Sequence, residues 1–252
     1  MVNLSYQQNR ALPTAEQLSC SDETPVDNQL QNDIPNLLLF LLSFIWAKRD
    51  DWYFGIDMAV YYNPDEPAIV PDGFLAVGVK RDTGERGRLS YVLWEENYIT
   101  PVIALEVVSE KYNGEYEGKL EDYQALGILY YAIYNPLSGR RGRHKYRDRL
   151  EVYKLISGEY KLISLNVIQK DSKAFVWMPE LDLGLGYENG EHLGWQREWL
   201  YWYDKNGDRY LSEAEQERQA KLVAEAIAEK ERMQKENLAA RLRALGVDLN
   251  EI

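Results

Sequence analysis

The chain is 252 residues long, 45% hydrophobic and 12% aromatic, which suits one large domain with an appendage, or two small domains, around a sizeable core. Its net charge of −12 argues against a generic polyanion binder, but the excess is local: residues 1–72 carry −8, while 73–210 and 211–252 carry −2 each. A lone cysteine, Cys20, rules out an intrachain disulfide, the apolar run Leu37–Trp46 is too short to span a bilayer, and the acidic first 30 residues hold no secretory signal. A soluble, cytoplasmic protein without membrane contact is expected.

Residues 1–33 are polar, with scattered Pro, Asn and Gln, and predict a segment with no stable fold of its own. Ile34 to Asp50 is apolar nearly all round, which predicts a helix buried against a sheet or a partner. Trp52–Tyr62 and Ile69–Val79 read as strands separated by a turn at Asn63-Pro64-Asp65, and the second contains Pro71-Asp72-Gly73. Lys80–Arg88 is a charged loop, and Leu89–Glu95 a further strand. Residues 101–136 predict strand, helix, strand. Val102–Val108 is a buried strand, Glu115–Leu126 a helix ended by Gly127, and Ile128–Tyr134 a second strand stopped by Asn135-Pro136.

Ser138–Arg149 is a loop in which Arg140, Arg141, Arg143, Lys145, Arg147 and Arg149 face one acid, Asp148. Leu150–Ile156 and Tyr160–Leu165 flank Ser157-Gly158-Glu159 as a hairpin. Phe175–Met178, Leu183–Leu185 and Trp199–Tyr203 are short strands, the last turning at Asn206-Gly207. From Ser212 the chain reads as a charged helix stopped by Gly246. Its seam of Val223, Ile227, Leu238, Leu242 and Leu245 is interrupted by Lys230 and Gln234, the pattern of a weak coiled coil. The expected organisation is a polar segment (1–33), an α/β domain (34–210) and a helical extension (211–252).

The sharpest chemical pattern is Asp72 at one strand, Glu106 inside a second, and Lys119 on the following helix. An acid within a buried strand costs on the order of several kcal/mol if left unpaired, so Glu106 needs a partner. Two carboxylates on adjacent strands can hold a hard divalent cation such as Mg²⁺, and a nearby lysine can offset charge developing on a phosphate. The same residues also have ordinary readings. Asp72 suits a Pro-Asp-Gly turn, Glu106 could pair with a core arginine or tyrosine hydroxyls, and Lys119 could be solvated. His144 and His192 make no zinc site with the distant Cys20, and Asp204–Asp208 lacks the closing Glu of a calcium loop.

At these residues the chain resembles the Uma-type endonuclease family, a restriction-endonuclease-like domain of unknown function in the PD-(D/E)XK nuclease superfamily. The resemblance rests on Pro71-Asp72, on Ala104-Leu105-Glu106-Val107-Val108-Ser109, on Lys119 with Tyr123, and on Gly127 to Pro136, within roughly residues 35–185. It implies a restriction-endonuclease-like mixed sheet flanked by helices, with the charged C-terminal helix as an extension. It also implies hydrolysis of DNA phosphodiester bonds with Mg²⁺ or Mn²⁺, Asp72 and Glu106 being the metal carboxylates and the Val107 carbonyl a third ligand. The superfamily's lysine usually lies two residues after the Glu, where this chain has Val108. Lys119 from the helix then replaces it; Tyr123, one turn on, would either brace it or be a core aromatic. Asn135 stands where Asp is commoner, as turn chemistry. DNA contacts are expected from Arg140, Arg141, Arg143, Lys145 and Arg147, with Lys80, Arg81, Arg86 and Arg88 second, the other reading of such a charge run being a plain solvated loop. The alternative is a catalytically silent nuclease fold that binds nucleic acid or serves as a scaffold. In that alternative the C-terminal helix would mediate assembly; a homo-oligomer, a dimer or higher, is expected.

Overall fold

A computed structural model of the chain describes residues 11–19, 28–81, 84–110, 114–140, 142–163, 166–168 and 173–244. Cys20, Arg141, Leu245 and Gly246 lie outside the described residues. The chain forms two compact units, Met1–Tyr210 and Leu211–Ile252. The first is mixed α/β, built on a six-stranded sheet. Its strands are β1 (Trp52–Ile56), β3 (Gly73–Val77), β5 (Ile103–Val107), β6 (Tyr130–Tyr134), β7 (Leu150–Ile156) and β8 (Glu159–Ile163), adjacent in that order. All neighbours run antiparallel except β5 and β6, which are parallel, with Ile103 opposite Tyr130. Helix α2 (Gly118–Leu126) connects that parallel pair, as a crossover requires.

Alternation along β5 sorts its side chains between two cores. Ile103, Leu105 and Val107 face a core shared with helix α1 (Gln29–Ile45) and a second, antiparallel sheet. That sheet contains β9 (Asn166–Ile168), β10 (Lys173–Met178), β11 (Leu183–His192) and β12 (Trp195–Tyr203). The indole N–H of Trp202 on β12 donates to the Leu38 carbonyl of α1 at 2.9 Å, tying helix to sheet. Ala104 and Val108 face the other way, into a core with Tyr123 and Leu126 of α2 and with Tyr131 and Ile133 of β6. Glu106 has the same parity as Ala104 and Val108, so the backbone aims it at α2.

Several elements depart from their predicted bounds for identifiable reasons. Helix α1 begins at Gln29 rather than Ile34, capped by Asn28, whose side chain accepts from the Leu30 N–H at 2.9 Å. The predicted strand 52–62 splits at Asp57, which takes φ 46°. Its second part, β2 (Val60–Tyr61), leaves the main sheet to pair in parallel with β4 (Tyr91–Val92). Residues within 11–19 pack on that pair, with the Trp94 indole N–H donating to the Pro13 carbonyl at 2.7 Å and the Tyr61 hydroxyl to the Ser19 carbonyl at 2.9 Å. Strands β11 and β12 form one long hairpin turning at Leu193-Gly194, both at positive φ. A leucine in that geometry gives no turn signal to a sequence reading.

In the second unit, helix α3 (Glu213–Ala244) starts on a reciprocal cap. The Ser212 N–H donates to the Glu215 carboxylate at 2.9 Å, and the Glu215 N–H to Ser212 Oγ at 3.3 Å. Among the described residues no helix is long and apolar enough to cross a membrane.

The buried stripe of α1 supports the sheet that carries the acids, and Leu41 is 1% exposed within it. Leu41→Ala should destabilise the first unit by about 2–5 kcal/mol, read as a lower midpoint in urea unfolding with little change of slope.

Candidate active site

Asp72 immediately precedes β3, where Gly73 lies opposite Leu105 of β5. Continuing that register by one residue sets Asp72 against Glu106. The pairing is secured by a hydrogen bond: the Val107 N–H donates to Asp72 Oδ2 at 2.6 Å. Asp72 therefore sits at the end of its strand as an acceptor for the backbone beside Glu106, which is more than a Pro-Asp-Gly turn demands. Its Oδ1 accepts no hydrogen bond among the described residues.

Helix α2 supplies the partners of Glu106. Lys119 and Tyr123 are four residues apart and share a helix face. Lys119 Nζ donates to Glu106 Oε2 at 2.7 Å, and the Tyr123 hydroxyl to Oε1 at 2.5 Å. Both carboxylate oxygens of a residue only 1% exposed are thus satisfied from one helix. Tyr123 is a buried core aromatic whose hydroxyl braces Glu106, the tyrosine pairing that the sequence left open for that acid, rather than Lys119. The Lys119 side chain remains 25% exposed, and its ammonium has donors beyond the one given to Glu106.

The electrostatics follow from this burial. Desolvation pushes the Asp72 carboxyl well above the ordinary aspartate range, and the Glu106 charge pushes the same way, against the pull of the Val107 N–H and Lys119. Burial also raises Glu106, opposed by Lys119 and by the Tyr123 hydroxyl. For Lys119 burial disfavours the charge, but attraction to Glu106, and to Asp72 and Glu115 behind it, raises it above the ordinary lysine range. With an ammonium and a hydroxyl on its two oxygens, Glu106 is held as the ionised member of the group. Asp72 carries the cost of a second negative charge.

Two further acids surround the pair. Glu115, 1% exposed in the turn that leads into α2, contributes negative potential at Glu106 and Lys119. Its backbone carbonyl accepts from the Tyr131 hydroxyl at 2.7 Å. Asp57 adds to the negative potential at Asp72, and its N–H donates to the Asp72 carbonyl at 3.3 Å. Sequence reasoning passed over both; the acid at i−4 from Lys119, next to Gly114, was the available signal for Glu115. Among the described residues no three His, Cys, Asp or Glu side chains group as a metal cage. Any divalent ion here would rely on the Asp72–Glu106 pair, backbone oxygen and water, a donor set typical of Mg²⁺.

The basic loop comes close to this end of the sheet. A pocket of 310 Å³ is lined by Val108, Tyr116, Glu117, Arg143, His144 and Arg147, with the Arg147 guanidinium 3.9 Å over the Tyr116 ring. Arg140 and Lys145 are exposed outside it. The second basic loop is engaged in structure. Arg88 is buried against Glu96 at 2.7 Å and stacks on Tyr53, Arg81 lies over Trp52, and Arg86 pairs with Glu16 at 2.6 Å. Asn135 makes a local turn, its Oδ1 accepting from the Leu137 N–H at 3.0 Å.

The cost carried by Asp72 has a measurable consequence in metal-free protein. An unfolded aspartate ionises near pH ~3.9, and the folded Asp72 ionises at a higher pH, so its ionisation removes stability as pH rises through that window. Asp72→Asn keeps an acceptor for the Val107 N–H and removes the second charge. It should raise stability at pH 7–8 by about 1–2 kcal/mol, or roughly 2–4 °C in Tm per kcal/mol. The gain should shrink towards pH 4, as thermal melts in EDTA across that range would show.

Residues 17–185 match the model of the Uma2 family, described as “Putative restriction endonuclease”. No curated protein and no solved structure matches the chain significantly. The matched span is about two thirds of the chain and contains Asp72, Glu106, Lys119, Tyr123 and the whole basic loop. The chain belongs to the Uma2 family of restriction-endonuclease-type proteins.

Proposed function

We propose that this protein is a divalent-metal-dependent endonuclease that hydrolyses DNA phosphodiester bonds through Asp72, Glu106 and Lys119. Nuclease-like function is what the Uma2 family suggests. The observation that carries the finer reading is the reach of Lys119 from α2 to Glu106 at 2.7 Å, with Asp72 fastened to the next backbone amide. This supplies from a helix the cation that the chain lacks at Val108, just past β5.

The residues suit a hard cation. Restriction-endonuclease-like families generally use divalent metals, and here the ammonium of Lys119 bonds Glu106 and acts on Asp72 only through its field, with Asp72 Oδ1 taking no hydrogen bond among the described residues. Asp72, Glu106 and the Val107 carbonyl would hold Mg²⁺ or Mn²⁺, which when bound polarises the phosphate and lowers the pKa of a coordinated water. Tyr123 and Lys119 keep Glu106 ionised and in one orientation. Lys119, with donors to spare, would neutralise charge growing on the phosphoryl oxygens as water oxygen bonds to phosphorus and the bond to the leaving strand breaks. Arg140, Arg141, Arg143, Lys145 and Arg147 would meet flanking phosphates, and their effect should weaken with salt.

Purified protein should nick supercoiled plasmid with Mg²⁺ or Mn²⁺ and lose that activity in EDTA. Glu106→Ala and Lys119→Ala should each lower the rate by roughly 10²–10³-fold or more, with circular dichroism confirming that the fold is kept. Unchanged nicking by Glu106→Ala would overturn the assignment.

Helix α3 supports a second reading, that the chain assembles with copies of itself. Val223, Ile227 and Leu238 are exposed along its 32 residues, among ion pairs such as Arg232–Glu229 at 2.9 Å. Truncation at Leu211 should then lower the solution mass to that of a monomer in light scattering; an unchanged mass would rule out pairing through α3.

A further inference from the structure

Two pockets meet at Val108, two residues beyond Glu106, and their chemistry differs. The first, described above, presents two arginines, Arg143 and Arg147, with the Tyr116 ring, against a single acid, Glu117. The second has a volume of 460 Å³ and is lined by Val108, Glu110, Pro136, Leu137 and Trp195, together with the start of α1. Trp195 stands at the first position of β12, just past the hairpin turn, and is 43% exposed. Its indole packs edge-on against Trp199 at 5.9 Å, with the Arg197 guanidinium 5.1 Å from its centroid.

We infer that the second pocket receives an unstacked nucleobase, and that the substrate strand is therefore unpaired beside the bond to be cut. This rests on the nuclease reading above. Among the described residues that line this pocket, Glu110 alone is charged; such a lining disfavours a phosphate but accommodates a flat, uncharged base, and an indole offers a stacking platform to any base. The backbone attached to that base would continue past Val108 into the pocket of Arg143 and Arg147, where its negative charge is matched. In an intact duplex the base faces are covered by their neighbours in the stack, so Trp195 can engage only a base that has left it. Tyr146, 85% exposed on the basic loop beside Lys145, offers a second ring in the same arrangement of basic and aromatic residues.

Fluorescence anisotropy of a labelled 15-nucleotide single strand, and of the same strand annealed to its complement, tests this in EDTA with the full-length chain. Trp195→Ala should weaken single-strand binding roughly 5- to 150-fold. Trp195→Phe should recover most of it, and duplex binding should change less than about twofold. Equal weakening on both DNA forms, or none on the single strand, would overturn the inference while leaving the nuclease reading intact. Failure of the wild-type chain to bind either form, at low salt as well, would overturn both.

Discussion

The burial of Glu106 is the constraint on which the rest of this structure depends. A carboxylate in the middle of a sheet, 1% exposed, loses hydration that no single neutral contact restores. The fold restores it with an ammonium at 2.7 Å and a hydroxyl at 2.5 Å, one for each oxygen. Both come from α2, so the position and rotation of that short helix are fixed by an electrostatic need as much as by packing. The helix has weak local support, with no side-chain cap at its N-terminus. What seats it is the contact of Tyr123 with Tyr131, whose ring centroids lie 4.9 Å apart, and the ion pair itself.

The tyrosines of β6 extend this logic. Tyr130, Tyr131 and Tyr134 are fully buried, yet each hydroxyl finds an acceptor: Glu180, the Glu115 carbonyl and the Glu198 carbonyl respectively. A strand of such residues fills volume on both faces of the sheet and leaves polar ends to tie in loops. The loop carrying Glu115 is held this way, which brings a further buried acid towards Glu106 and raises the negative potential where a cation would bind. Charge concentrated against solvation is unfavourable for folding and useful for metal binding. It is the trade usually seen where function opposes stability.

The same end of the sheet gathers the basic and aromatic surface features on which the proposed nucleic-acid contacts rest. Chain-distant pieces converge there: the turn after β6, the basic loop, the start of α1 and the tip of the β11–β12 hairpin. A net charge of −12 does not oppose the proposed reading, because a phosphate there would meet the local field of Arg143 and Arg147 rather than the sum over the chain.

Much of the central unit was legible in the sequence, because local patterns encode it. Glu106 announced itself by interrupting an apolar strand, Gly127 ends α2 at φ 79° as its position predicts, and Asn135 forms the turn that its type favours. Residues whose meaning is relational were not legible. Asp57 reads as an ordinary strand residue, yet its positive φ sends β1 and β2 into different sheets; Leu193 hides a hairpin turn; Arg88 reads as a basic loop residue and is buried against Glu96. By itself the sequence determined the strand–helix–strand unit and the types of residue able to do chemistry there, since periodicity and composition are local properties. Only the tertiary structure decided that Asp72 is fastened at Val107, that Tyr123 and Lys119 divide the oxygens of Glu106 between them, and that Trp195 stands beside the basic pocket. These relations depend on strand register, helix rotation and loop approach across the sheet, which no stretch of chain specifies alone.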